Sequence, residues 1–94
     1  MDFFIYILRC IDKTLYVGQT NNIEKRIEEH KTGLVAYTSR KLPIELVYVQ
    51  ICQERKTAFA LEQKIKKWSR RKKEALIKNN WAKLKLLSTK SFKK

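Results

Sequence analysis

The chain has 94 residues, enough for one domain with a single modest core. Its hydrophobic content of 44% is ordinary for a soluble globule, whereas a formal charge of +13 is not. No apolar run approaches the roughly 20 residues that a membrane span needs. Met1-Asp2 leads straight into an alternating strand pattern, without the basic region or cleavage site of a signal peptide, so a cytoplasmic protein with no membrane attachment is expected.

Residues 3–10, Phe-Phe-Ile-Tyr-Ile-Leu-Arg-Cys, are rich in aromatic and β-branched types and predict a strand. Ile11-Asp12-Lys13-Thr14 supplies a polar turn, and Leu15-Tyr16-Val17-Gly18-Gln19 a second short strand, so the two should form an antiparallel hairpin. Gly18 suggests a close backbone approach or a sharp exit. Thr20-Asn21-Asn22 is a cluster of helix-capping residues, and 23–31 reads as a short helix. Ile23 and Ile27, four apart, are expected to face the core; Arg26 and His30, also four apart, share a second face. Gly33 stops the helix. Residues 34–43 read as a polar loop ending at Pro43, and 44–51 as a third strand. A longer helix is predicted over 56–68, where Ala58, Leu61, Ile65 and Trp68 form one stripe. At 100° per residue Glu62 falls about 40° from Ala58, on the margin of that stripe, so a carboxylate there is expected to be partly shielded. Ser69 starts another helix through about Asn79. Trp81 to Leu87 could add a last short element, and Ser88 to Lys94 reads as a frayed basic tail. Cys10 and Cys52, each in an apolar run with no His or second Cys close by, are expected to be reduced, buried thiols and not metal ligands. The order strand, strand, helix, strand, helix, helix fits an α+β globule in which helices pack on a three-stranded sheet.

Charge is distributed unevenly. Residues 1–63 carry nine Lys/Arg and eight Asp/Glu, a net of +1, whereas 64–94 carry thirteen Lys/Arg and Glu74 alone, a net of +12. A solvated basic face is the plain reading of a single lysine run. A charge of +12 over one third of the chain favours a polyanionic partner.

The residue types before and within this region permit one particular chemistry. Cleaving a phosphodiester requires an activated water, neutralisation of developing charge and stabilisation of the leaving oxygen. Glu62 suits a divalent metal, since Mg²⁺ tolerates a sparse protein shell by keeping waters and borrowing phosphate oxygens. Arg26 suits the phosphate, because its fork meets two oxygens at once. Tyr6, Tyr16 or His30 could orient or deprotonate the water. Each has a plain alternative: sheet-packing aromatics for the tyrosines, an exposed helix face beside Glu28 and Glu29 for Arg26 and His30, and an i,i+4 pair with Lys66 for Glu62.

Phe4-Ile5-Tyr6 and Tyr16-Val17-Gly18, followed by Gln19-Thr20, Arg26, His30 and Glu62, resemble the paired signature of the GIY-YIG nuclease superfamily. Residues 37–49 and 61–70 further resemble its small stand-alone bacterial members, which are similar to the nuclease module of the bacterial excision-repair endonuclease. The match covers roughly residues 3–78. It implies a three-stranded antiparallel sheet flanked by helices, a GIY-YIG domain over 1–80 and a basic extension over 81–94. The implied activity is that of a DNA endonuclease with one Mg²⁺ (or Mn²⁺), acting in repair or on structured DNA. By matching position Glu62 would hold the metal and Arg26 the scissile phosphate. Tyr6 and Tyr16 would border the water site without a choice of base between them, and His30 would support the nucleophile. Phe4 replaces the first glycine of the signature, and Gln19 stands where the repair nuclease has a lysine. No separate DNA-binding domain is visible, so Lys64, Lys67, Arg70, Arg71, Lys72 and Lys73 are expected to hold the backbone without reading sequence. The alternatives are a catalytically weak or inactive binding module of the same fold, or a basic protein of a membrane surface or the ribosome. DNA is expected over RNA, because no RNA-reading aromatic motif is present. A monomer or weak dimer is expected.

Overall fold

A computed structural model of the chain describes residues 1–79. The possible element over 81–87 and the basic extension over 81–94 lie outside the described residues. Strand β1 (Phe3–Arg9) and strand β2 (Leu15–Thr20) pair antiparallel, with Ile7 opposite Val17, Tyr6 opposite Gly18 and Ile5 opposite Gln19. Asp12 closes their turn by accepting hydrogen bonds from the Thr14 amide and hydroxyl at 3.0 and 2.6 Å. Strand β3 (Glu45–Cys52) pairs antiparallel with the other side of β1, giving the order β2-β1-β3. A register shift lies between Ile7 and Leu8, opposite Val47. The antiparallel three-stranded sheet and its helices have the order read from the sequence.

Among the described residues three helices flank the sheet. Helix α1 (Ile23–Lys31) is capped by Asn22, whose side chain accepts from the Lys25 amide, and closed by Gly33 at φ 83°. Helix α2 spans Arg55–Lys66, and helix α3 (Arg70–Lys78) is capped by the Ser69 hydroxyl, which accepts from the Lys72 amide. Helix α2 stops before Trp68, unlike the sequence expectation. The Lys67 and Trp68 amides bond carbonyls three residues back, which tightens the chain into a turn. Trp68 still packs against the core.

Because strand side chains alternate, the sheet has two unlike faces. Ile5, Ile7, Val17 and Tyr48 point to α2 and form the core with Ala58 and Ile65. Phe4, Tyr6 and Val49 lie on the α1 side. Ile23 and Ile27 do not enter the main core, as the helical spacing had suggested. They are half-buried and line an open groove with Phe4, Val49 and Ile51. The one residue that α1 buries completely is His30. Cys10 and Cys52 are free, buried thiols. A two-pronged ion pair, Arg9 to Glu74 at 2.7 and 3.0 Å, ties β1 to α3. Among the described residues no helix is long and apolar enough to cross a membrane.

Candidate active site

The site begins with a vacancy that one glycine creates. Tyr6 faces α1 directly opposite Gly18. A Cβ at Gly18 would lie 2.5 Å from the Tyr6 hydroxyl oxygen, 2.6 Å from Cζ and 3.1 Å from Tyr16 Cε1. Only a residue without a side chain lets the Tyr6 ring lie across β2. The ring is fully buried, and its hydroxyl lies 3.0 Å from His30 Nε2 and 3.4 Å from Arg26 Nε.

His30 is likewise fully buried, not part of an exposed helix face. Its Nδ1 lies 2.8 Å from Thr38 Oγ1. Thr38 donates its own hydrogen toward the Val35 carbonyl at 3.5 Å, so its oxygen accepts from the His30 Nδ1–H. Nε2 is then left to accept from the Tyr6 hydroxyl. Burial pushes the His30 pKa down, helped by the nearby Arg26 charge and opposed by Glu29, which keeps the ring neutral. Burial also pushes the Tyr6 phenol up to about 12, against the opposing pull of Arg26. Tyr6 therefore keeps its proton at neutral pH and passes it toward His30 as a hydrogen bond.

Arg26 is pinned from two sides. Its Nε–H donates to Tyr6, and its Nη1 donates to Glu29 at 3.0 Å. The bond to Tyr6 is the main cause of a raised guanidinium pKa, partly offset by desolvation. With Gln19, Asn22, Lys25 and Glu29 it lines an open cleft of about 310 Å³. Tyr16 is half-buried, its ring centroid 6.2 Å from that of Tyr6 and 4.9 Å from that of His30.

Glu62 is only 8% exposed, one of three residues that α2 buries, so the helical stripe is wider than its apolar members suggested. Gln19 Nε2 approaches its Oε1 at 3.5 Å, and Lys66 Nζ its Oε2 at 3.3 Å. Gln19 thus lines the Arg26 cleft and also meets Glu62, linking the carboxylate to the Tyr6–Arg26–His30 group at the edge of the sheet. Among the described residues no group of three or more His, Cys, Asp or Glu could hold a metal. A lone carboxylate whose oxygens have only long partners nevertheless fits a hard divalent ion that retains most of its waters.

The six cations expected to bind nucleic acid run from α2 across its end into α3. Lys64, Lys67, Arg70, Arg71 and Lys72 are exposed, while Lys73 is half-buried. Lys72 lies over the Trp68 ring at 4.2 Å, and Arg70 pairs with Glu74 at 3.2 Å. Lys73 lines a second cleft together with Tyr16. Two residues that sequence reading missed belong to this region: Thr38, which fixes His30, and Tyr37, whose ring lies 5.4 Å from that of Tyr16. Both sit in a segment with no periodicity. The usable signal was His30 itself, since a buried imidazole needs a partner for each nitrogen.

The model of the GIY-YIG catalytic domain matches residues 2–75 of the chain. A UPF0213 protein of Natronomonas pharaonis is 43% identical over 77 residues, covering 81% of this chain and 91% of its own length. A UPF0213 protein of Syntrophus aciditrophicus is 44% identical over 79 residues, covering 82% and 91%. The fold is similar to the solution NMR structure of a UPF0213 protein from Bacillus halodurans, with a TM-score of 0.60 and 32% identity, over 99% of this chain and 100% of that one.

Proposed function

The chain belongs to the GIY-YIG catalytic-domain family, and we propose that it is a divalent-metal-dependent DNA endonuclease that hydrolyses phosphodiester bonds during repair or in structured DNA. The observation that carries this reading is Arg26, held by Tyr6 and Glu29 on a cleft it shares with Gln19, the residue that reaches Glu62.

Arg26 spends one N–H on Tyr6 and one on Glu29, and its remaining donors are left for phosphate oxygens. Tyr6, fully buried and protonated, positions Arg26 and does not itself meet the water. Tyr16 is only half-buried, so with Tyr6 enclosed it is the tyrosine left to orient the nucleophile. His30 holds the Tyr6 proton in place. Mg²⁺ or Mn²⁺ held by Glu62 would neutralise developing charge and stabilise the leaving oxygen. Lys64, Lys67, Arg70, Arg71, Lys72 and Lys73 would grip the backbone through a salt-sensitive, sequence-independent attraction.

Two observations favour a second reading, a nucleic-acid-binding module with little or no turnover: Glu62 already has Lys66 at 3.3 Å, and Gln19 supplies no lysine base beside it. A nuclease panel over duplex, single-stranded, flap and junction DNA with Mg²⁺ or Mn²⁺ separates the two. Under the endonuclease reading Arg26→Ala and Glu62→Ala each lose roughly 100-fold or more in cleavage. Equal nicking by wild type and both variants would assign the activity to a contaminant. Binding without cleavage of any substrate would establish the second reading.

A further inference from the structure

At the edge of β2, Leu15, Tyr16, Val17, Tyr37, Lys66 and Lys73 line a cleft of about 310 Å³. Tyr37 is 56% exposed. Its ring plane lies at 45° to that of Tyr16 with the centroids 5.4 Å apart, so the two rings open as a wedge and do not stack flat. Lys41 fixes Tyr37 from another side, its Nζ 4.5 Å from the ring centroid, and is itself held by Asp12 at 3.6 Å and Thr14 at 3.4 Å. A single exposed tyrosine is ordinary. An aromatic wedge held in place by a third element and flanked by two lysines is the pairing of features that binds unpaired nucleotides, because every base has a π-face and every linkage a negative charge.

We propose that this cleft takes one unpaired nucleobase of a DNA strand, seated against Tyr37 and Tyr16, while Lys66 and Lys73 meet the flanking phosphates. The inference rests on the reading of the neighbouring site as one that binds DNA. It makes the substrate class narrower: strands with an unpaired nucleotide, such as flaps, bulges and single strands, in preference to continuous duplex. A base inside a duplex is stacked on both faces and cannot enter the wedge without the cost of extrusion. Tyr16 ties this cleft to the buried Tyr6–His30 pair, since its ring also lies 4.9 Å from that of His30 between centroids. Lys66 ties it to the carboxylate, being the partner of Glu62 at 3.3 Å, so a phosphate that draws Lys66 into this cleft loosens its hold on Glu62.

The test is binding in EDTA, where no cleavage interferes. Fluorescence anisotropy is measured with a labelled oligo-dT strand and a labelled blunt duplex of equal length, at one fixed salt concentration. The wild type is expected to bind the single strand more tightly than the duplex. Tyr37→Ala should weaken single-strand binding by about tenfold and duplex binding by less than about twofold, with Tyr37→Trp restoring the preference. Lys73→Gln should weaken single-strand binding and reduce its log-affinity against log-salt slope by about 0.7. Unchanged single-strand affinity in Tyr37→Ala would overturn the proposal, as would an equal loss on both ligands. Circular-dichroism melting of each variant separates loss of the wedge from loss of the fold. A protein that cleaves nothing could still pass this test, and one that cleaves could still fail it.

Discussion

On the α2 side of the sheet, Ile5, Ile7, Val17 and Tyr48 pack with Ala58 and Ile65. On the α1 side, one residue along the same strands, Tyr6 lies across Gly18 and is hydrogen-bonded to His30 and Arg26, with His30 in turn held by Thr38. The first face needs only apolar volume and tolerates approximate shapes. The second must satisfy every polar atom it buries, and among the described residues no buried side-chain nitrogen or oxygen lacks a partner. The alternation of one hairpin thus separates the work of holding the fold from the work of holding the site. Glu62 departs from the division, a carboxylate buried on the core helix and reached from the edge by Gln19.

If the division holds, the two faces should fail differently. Ile65→Ala, at a residue 1% exposed, should cost about 2–5 kcal/mol in urea unfolding, the largest loss of stability expected from a single truncation here. A loss under about 1 kcal/mol would mean that the apolar face carries less than its burial indicates. Thr38→Val keeps the shape but leaves the His30 Nδ1–H without its acceptor, so about 1–3 kcal/mol should be lost. Cleavage should fall out of proportion to stability in this variant, because Tyr6 and Arg26 lose their anchor. A Thr38→Val protein as active as wild type would remove the polar chain from the site. The smallest effect is in pH. The folded protein keeps His30 neutral with a pKa below its ordinary 6.5, so as pH falls beneath that value the unfolded chain takes up a proton that the folded chain refuses. Stability from this source is present above about pH 6.5 and is lost as pH falls toward the lower folded value. Thermal melts between pH 7.5 and 5 should show the decline in wild type and a shallower one in His30→Gln. Parallel curves would place the acid sensitivity elsewhere.

Much of this was legible in the chain because the governing signals are local. Short apolar runs bounded by turn residues marked β1, β2 and β3, and Asn22, Ser69 and Gly33 marked helix ends through hydrogen bonds within a few residues. The GIY-YIG signature drew attention to Tyr6, Tyr16, Arg26, His30 and Glu62, and the first four share direct ring contacts or hydrogen bonds. Other features depended on distant partners. The helical wheel put Glu62 at the margin of the stripe and within reach of Lys66, but not beside Gln19, which comes from β2 to meet its other oxygen. Ile23 and Ile27 have the spacing of core residues, yet the sheet opposite them leaves a groove. Thr38 and Tyr37 owe their places to His30 and Tyr16, residues on other elements.

The clamp between Arg9 and Glu74, 65 residues apart in sequence, has a mechanical consequence. Glu74 is the sole acid in the strongly cationic last third of the chain. Its neighbour Lys73 stands at the second cleft, and Arg9 closes the strand that carries Tyr6. A pull on α3 is therefore delivered through this fork to β1, so the last described helix and the strand that carries Tyr6 shift together and not separately. Ionic strength acts on that coupling directly, because both side chains of the fork are partly exposed and salt screens their attraction.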